Sequence, residues 1–311
     1  MYSVAMVATV SGAATAQNYP FKTVRIVTAP AGGGNDFAAR LIAPGLSENL
    51  GQSVIVDNRA GGVIPGEIVS KAPADGYTLL FAGGSFLVGH ILQDAPYDPV
   101  TDFLPITLTG MAPNILVVHP SLPVKSVKDL IDLAKAKPGE LNYGSATPGS
   151  QNHLAVELFK FMAGVNIVRI AYKGTGPSII ALVAGEVQMM CTNVPSVAPH
   201  LKSGRLRALA LTTSQPSALF PGLPTVAASG LPGYEVVSVD AIFAPARTPA
   251  VIISRLNHEI VRVLNRPDVK QKFFDSGVEV VGSSPEDSAN KIKSEISMWG
   301  KLIRENAIKS D

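Results

Sequence analysis

The chain has 311 residues, 46% of them hydrophobic and 16% charged, with a formal net charge of +2. That is apolar material enough for two domains of ordinary size, and it excludes a disordered chain. Lysines and arginines form no run, which argues against a nucleic-acid binder, and the single cysteine, Cys191, excludes an intramolecular disulfide and any CxxC zinc or redox site.

The first stretch, MYSVAMVATVSGAATAQ, is uncharged and apolar and ends on Ala14-Thr15-Ala16. This is the apolar region and A-x-A cleavage pattern of a secretory signal peptide, without the usual basic start, since the first charge is Lys22. Residues 1–16 are therefore expected to be a signal-peptide remnant, and the chain to be exported. No later stretch reaches the about 18 continuous apolar residues of a membrane helix.

Val24 to Val27 is short and rich in β-branched residues, which predicts a strand. Gly32, Gly33 and Gly34 follow, and then Phe37, Leu41 and Leu46 recur near helical spacing. Asp36 stands where a carboxylate can cap free N–H groups of the helix. Three glycines let another group approach the backbone, and a helix start favours an anion. The loop reads either as an anion cradle or as a flexible turn.

Further strands are predicted at 53–56, 77–82 and 114–118, the second of them running into Gly83-Gly84-Ser85. Ser126 and Asp129 have capping-box spacing, which predicts a helix from there. Leu141 to Tyr143 leads into a second polar loop, Gly144 to Asn152, followed by a helical pattern with Leu154, Leu158, Phe161 and Met162. Strand-like stretches at 168–172, 187–192 and 207–212 alternate with the loops at Thr175 and Asn193, and helices are predicted over 249–264, 267–276 and 285–304. Cys191 lies in an apolar run and reads as a buried, inert thiol. Such alternation implies α/β architecture with a largely parallel sheet, and ligands of open α/β sheets bind outside the carboxyl ends of strands.

The catalytic motifs fail one by one. A P-loop needs GK[ST], but Asn35-Asp36 follows the glycines; a dinucleotide fingerprint needs a third glycine where Phe37 stands; Gly144-Ser145-Ala146 is not a nucleophile elbow. His153 and Glu157 have metal-ligand spacing on a helix, yet no third ligand is evident, so capping or surface roles are the simpler reading. Asp94 and Asp98 read as turn chemistry. No cofactor is implied.

The ordered run of PAGGGND (Pro30 to Asp36), VDNRAGG (Val56 to Gly62), ADGYTLL (Ala74 to Leu80), YDPVTDFLPIT (Tyr97 to Thr107), YGSATPGSQN (Tyr143 to Asn152), AYKGTGP (Ala171 to Pro177) and GRLRALALTT (Gly204 to Thr213) resembles the Bug-type, or TctC-like, extracytoplasmic solute receptors over nearly the whole chain from Tyr19. The resemblance implies a type II periplasmic-binding-protein fold. Two α/β domains would flank a ligand cleft, with residues 17–118 plus 241–311 in the first and 119–240 in the second. It implies a periplasmic, monomeric, non-enzymatic protein that captures a small carboxylate: a di- or tricarboxylate, an aromatic acid or an amino acid. A two-component membrane permease of a tripartite tricarboxylate transporter would be its partner. A ligand sensor for a signalling receptor, or an α/β enzyme acting on a small acid, are the alternatives.

The carboxylate grip would map to Ala31, Gly32, Gly33, Gly34, Asn35 and Asp36 in the first loop, with Asp36 bracing the loop rather than meeting the ligand. In the second loop it would map to Ser145, Ala146, Thr147, Gly149, Ser150 and Gln151. Gly84, Ser85, Thr175 and Asn193 complete the polar loops. Asp240 stands where many relatives are similar in carrying an aromatic residue and a glycine. It reads either as a hinge or capping residue, or as a partner for an amine or hydroxyl of the ligand.

Overall fold

A computed structural model describes residues 19–32, 34–59, 62–92, 95–146, 149–217 and 220–305. The signal-peptide expectation, Gly33, Asp94 and Thr147 lie outside the described residues. The first half runs β1 (Val24–Thr28), α1 (Gly34–Leu50), β2 (Val54–Asn58), α2 (Ile64–Ser70), β3 (Thr78–Ala82), α3 (Gly84–Leu92) and β4 (Phe103–Val118). The second runs α4 (Val127–Ala136), β5 (Asn142–Ser145), α5 (Gln151–Ala163), β6 (Val168–Ala171), α6 (Thr175–Ala184), β7 (Met189–Asn193), α7 (Val194–Lys202) and β8 (Arg207–Leu211). The chain then returns through β9 (Val237–Pro245), α8 (Ala250–Leu264), α9 (Pro267–Asp275), β10 (Glu279–Val280) and α10 (Pro285–Glu305).

One long strand joins two halves. β2, β1 and β3 are parallel neighbours, and β9 lies antiparallel between β3 and β4. The Phe103–Pro113 part of β4 pairs with β9, while Asn114 to Val118 pairs with β7 and β8. β5 runs parallel to β7 and carries β6 at its edge. The sheet therefore changes partners at Pro113-Asn114. A second crossing lies between β8 and β9, where Thr212 Oγ1 donates to the carbonyls of Asn114 (3.0 Å) and Val236.

Each half has its own core. Ile42 and Leu46 of α1 are fully buried against β1, β3 and α8, and each such side chain contributes about 1.5–3 kcal/mol by leaving water. Tyr143, Phe159, Met189 and Cys191 centre the other core, where burial pushes the Cys191 thiol up to about 12, so it stays protonated. α10 belongs to both. Ile292 packs with the first half, whereas Trp299, Leu302 and Ile303 enter the core of the second. The capping box forms, with Ser126 Oγ accepting from the Asp129 N–H at 3.1 Å; the Asp129 carboxylate reaches the Lys125 N–H at 2.9 Å. The β4 strand is longer than the sequence predicts, and α2, α3 and β9 are additions, because glycine and short apolar runs hide their period.

Candidate functional site

The strand pleat builds the floor of a cavity. Side chains alternate along a strand, and cross-strand partners share a face. Asp240 and Ser238 of β9 stand opposite Gly110 and Ala112 of β4, and Asn114, two residues on, stands opposite Asn193 of β7. Ser238, Asp240, Ala112 and Asn193 accordingly line one cavity of about 440 Å³. Its walls are Gly32, Gly34, Asn35, Phe37 and Ala38 at the start of α1, Ser196 of α7, and Phe273, Ser276, Gly277 and Val278 at the end of α9. α1 follows a strand of the first half and α7 a strand of the second, so each half aims one helix N-terminus at the same space. A wider groove of about 770 Å³ runs outside α8 between Ser254 and Pro267, but it receives no loop from the second half.

The glycine loop is braced from behind. The Asp36 carboxylate is buried and accepts from the Gly32 N–H at 2.9 Å, Arg40 Nε at 2.7 Å and Asn58 Nδ2 at 2.8 Å. The Gly32 N–H, with help from Asn58 and Arg40, holds its pKa below the ordinary value despite the opposing effect of burial. Gly32 has φ 83°, a left-handed conformation that favours glycine. On the opposite wall, Asn193 caps α7, its Oδ1 accepting from the Ser196 N–H (3.1 Å) and Oγ (2.6 Å).

Asp240 is the titratable side chain among the described residues lining this cavity. Its backbone carbonyl accepts from Thr109 Oγ1 at 3.1 Å, but its carboxylate has no hydrogen-bond or ion-pair partner among the described residues. Burial alone raises its pKa from 3.8 to about 7. The carboxylate abuts Gly83, where a Cβ would overlap its Oδ1.

This arrangement carries no nucleophile–base pair, and the comparisons agree with a binding role. The model of the tripartite tricarboxylate transporter family receptor (TctC) matches residues 38–308. The chain belongs to this receptor family. Protein BugT of Bordetella pertussis is 38% identical over 301 residues, 95% of this chain and 92% of its own. A solved R. palustris protein with adipate is 39% identical, covers 94% of this chain and 99% of its own, and superposes with a TM-score of 0.81. MatC from Rhodopseudomonas palustris with bound malate is 29% identical, covers 92% and 100%, and gives 0.78. The TctC receptor described here is a solute-binding protein rather than an enzyme, with two α/β domains around a cleft.

The residues expected from the TctC resemblance fall into two groups. Gly32, Gly34, Asn35, Asn193 and Asp240 meet in the cavity, with Ala31 exposed beside them and Asp36 behind. The second loop lies next to it. Ser145 is fully buried and accepts from Arg169 Nε at 2.8 Å, and the Ala146 carbonyl accepts from the Arg169 guanidinium at 3.0 Å. Gly149 (φ 72°) packs on Val88 and Leu92 of α3. Ser150 is the N-cap of α5 and its buried Oγ has no partner among the described residues. Gln151 reaches β9, Thr175 Oγ1 accepts from Asn152 at 3.3 Å, Gly84 faces the Gln151 side chain, which an added Cβ would meet at 3.7 Å, and Ser85 borders a separate space of about 40 Å³ with Asn35.

His153 and Glu157 do not form a metal pair in this TctC receptor. His153 Nδ1 accepts from the Gly149 N–H at 3.1 Å, and Glu157 accepts from the Tyr143 hydroxyl (2.6 Å) and Lys160 (2.7 Å). Among the described residues no group of three potential ligands could hold a metal ion. Phe37 is one of the residues whose spacing predicts the helix. It is exposed and lines the cavity, while Ala38, Ala39, Ile42, Ala43 and Leu46 make the buried stripe. Ala112, Ser196, Ser238 and the end of α9 had no motif to mark them. Asn114, buried with an Nδ2 that has no partner among the described residues, could have been noticed only as a polar residue starting an apolar strand.

Proposed function

We propose that this receptor captures a small carboxylate in the periplasm and hands it to the permease of a tripartite tricarboxylate transporter. Supporting this is one observation above others: the N-termini of α1 and α7, from opposite halves, face one cavity lined by glycine, asparagine and serine. Free N–H groups and the partial positive charge of a helix start suit an anion. A ligand touching both walls would draw the two halves together as lobes, one carrying β1–β3 and β9 and the other β5–β8. The crossings at Pro113-Asn114 and between β8 and β9 are the places for that bending. The closed monomer would then be the form the permease reads.

Thermal unfolding against a panel of aliphatic and aromatic acids, amino acids and sugars tests the reading. A ligand of the folded state adds about 2.7 kcal/mol at a hundred times its dissociation constant. A carboxylate should raise the midpoint and a sugar should not; a sugar shift without a carboxylate shift would overturn it.

A further inference from the structure

Deepening the carboxylate reading, on which it rests, we infer that the ligand also carries an ammonium group: its carboxylate sits on the N–H groups opening α1, and its ammonium sits on Asp240. Asp240 is a lining residue whose carboxylate meets no donor among the described residues. Ser238 Oγ, on the same strand face, is turned to Gln151 Oε1 instead. Thr109 reaches only the Asp240 backbone. The space over the facing Gly110 of β4 is taken by the Val278 side chain, and the carboxylate lies against Gly83, so the cavity itself is the way a ligand reaches Asp240. The Asp240 side chain is half-buried at the cavity wall, so a cation entering the cavity can reach it, and carboxylates in partly dry sites are normally paired.

The charge inventory selects the class of partner. The described lining residues include no lysine, arginine or histidine. The charged residues just behind are already engaged: Asp36 with Arg40 behind the glycine loop, and Glu279 of β10 with Ser217 Oγ at 2.7 Å. One ligand carboxylate has the α1 N-terminus. A second carboxylate pointing at β9 would meet Asp240 with no cation between them. An ammonium there would neutralise Asp240 and leave the bound ligand zwitterionic, which matches a cavity holding one negative group and one anion-binding backbone loop. The upward displacement of the Asp240 pKa is consistent with a carboxylate awaiting a cation.

Calorimetric titration of the full chain decides it, with L-aspartate, L-malate and succinate as one matched set and L-phenylalanine and 3-phenylpropionate as another. In the set that binds, the amino-bearing acid should bind at least about tenfold more tightly than its amine-free counterpart. Asp240→Asn should shrink that ratio by about tenfold, with circular dichroism confirming the fold. Gly83→Ala, which crowds the same carboxylate from the other side, should shrink it too and serves if Asp240→Asn does not fold. A ratio near one in the wild type, or one unaltered in both variants, overturns the inference while carboxylate binding still stands. L-Malate matching L-aspartate overturns the ammonium assignment in favour of a hydroxyl. Binding of none of the five overturns the inference, and the panel above then shows separately whether any carboxylate binds.

Discussion

Gln151 Nε2 donates to the Val237 carbonyl at 2.7 Å, tying the first residue of α5 to the first residue of β9. The same amide accepts from Ser238 Oγ through its other end, so its orientation is set from both sides. Because α5 belongs to the second half and β9 to the first, this one side chain joins the halves beside the cavity floor.

Gln151→Ala removes both bonds and leaves the Val237 carbonyl without that donor. Each lost bond of this type costs about 0.5–1.5 kcal/mol. Urea unfolding should show a loss of about 1–3 kcal/mol, and ligand affinity should fall with it. An unchanged midpoint would mean that water replaces the amide at no cost.

Asp36 predicts an acid-sensitive loop. Its folded pKa lies below the ordinary 3.8, chiefly through the Gly32 N–H. Its stabilisation is therefore complete above the unfolded pKa and is lost as pH falls through the folded one. Asp36→Asn should be less stable than wild type at neutral pH, and the gap should close below about pH 4. Parallel denaturation curves across that range would contradict this.

Asp240 predicts the opposite slope. Its carboxyl is raised from 3.8 to about 7 by burial. Below the unfolded pKa both states are protonated and nothing is lost. As pH rises toward 7 the unfolded chain releases a proton that the folded one keeps, so stability declines, then levels off above the folded pKa. In the ligand-free receptor, Asp240→Asn should gain on wild type between about pH 4 and pH 7. Urea midpoints on either side of that window measure the gain; identical pH profiles for the two proteins would refute it.

Trp299 predicts the cost of undocking α10. It is 3% exposed, and its Nε1 donates to Glu295 Oε2 at 2.9 Å. Trp299→Ala should lower stability by about 3–5 kcal/mol, the range for a large buried aromatic. Scanning calorimetry should show the loss. Because Ile292 anchors the same helix in the other core, the variant should also uncouple the unfolding of the two halves.

Local pattern made much of the architecture legible. The strands at 24–28 and 54–58, the Ser126 cap and the helices at 250–264 and 267–275 follow from β-branched runs, cap residues and helical spacing, which are properties of neighbouring residues. The exposure of Phe37 was not legible for a related reason: helical spacing places a residue on a helix, but does not say which face meets the core. β9 was unreadable because its neighbours, β3 and β4, come from distant sequence.

The sequence by itself determined an α/β chain with glycine-rich and serine-rich loops after strands, the lack of catalytic motifs, and the family. Those rest on composition and short-range order. Only the tertiary structure decided which loops share a space. Gly34, Asn193 and Asp240 are far apart in the chain and become neighbours because β4 runs through both halves and β9 returns beside it. It also decided that Asp36 is satisfied by Gly32, Arg40 and Asn58 while Asp240 meets no donor among the described residues. Two aspartates identical in chemistry differ because hydrogen bonding and burial are set by what the fold brings near them.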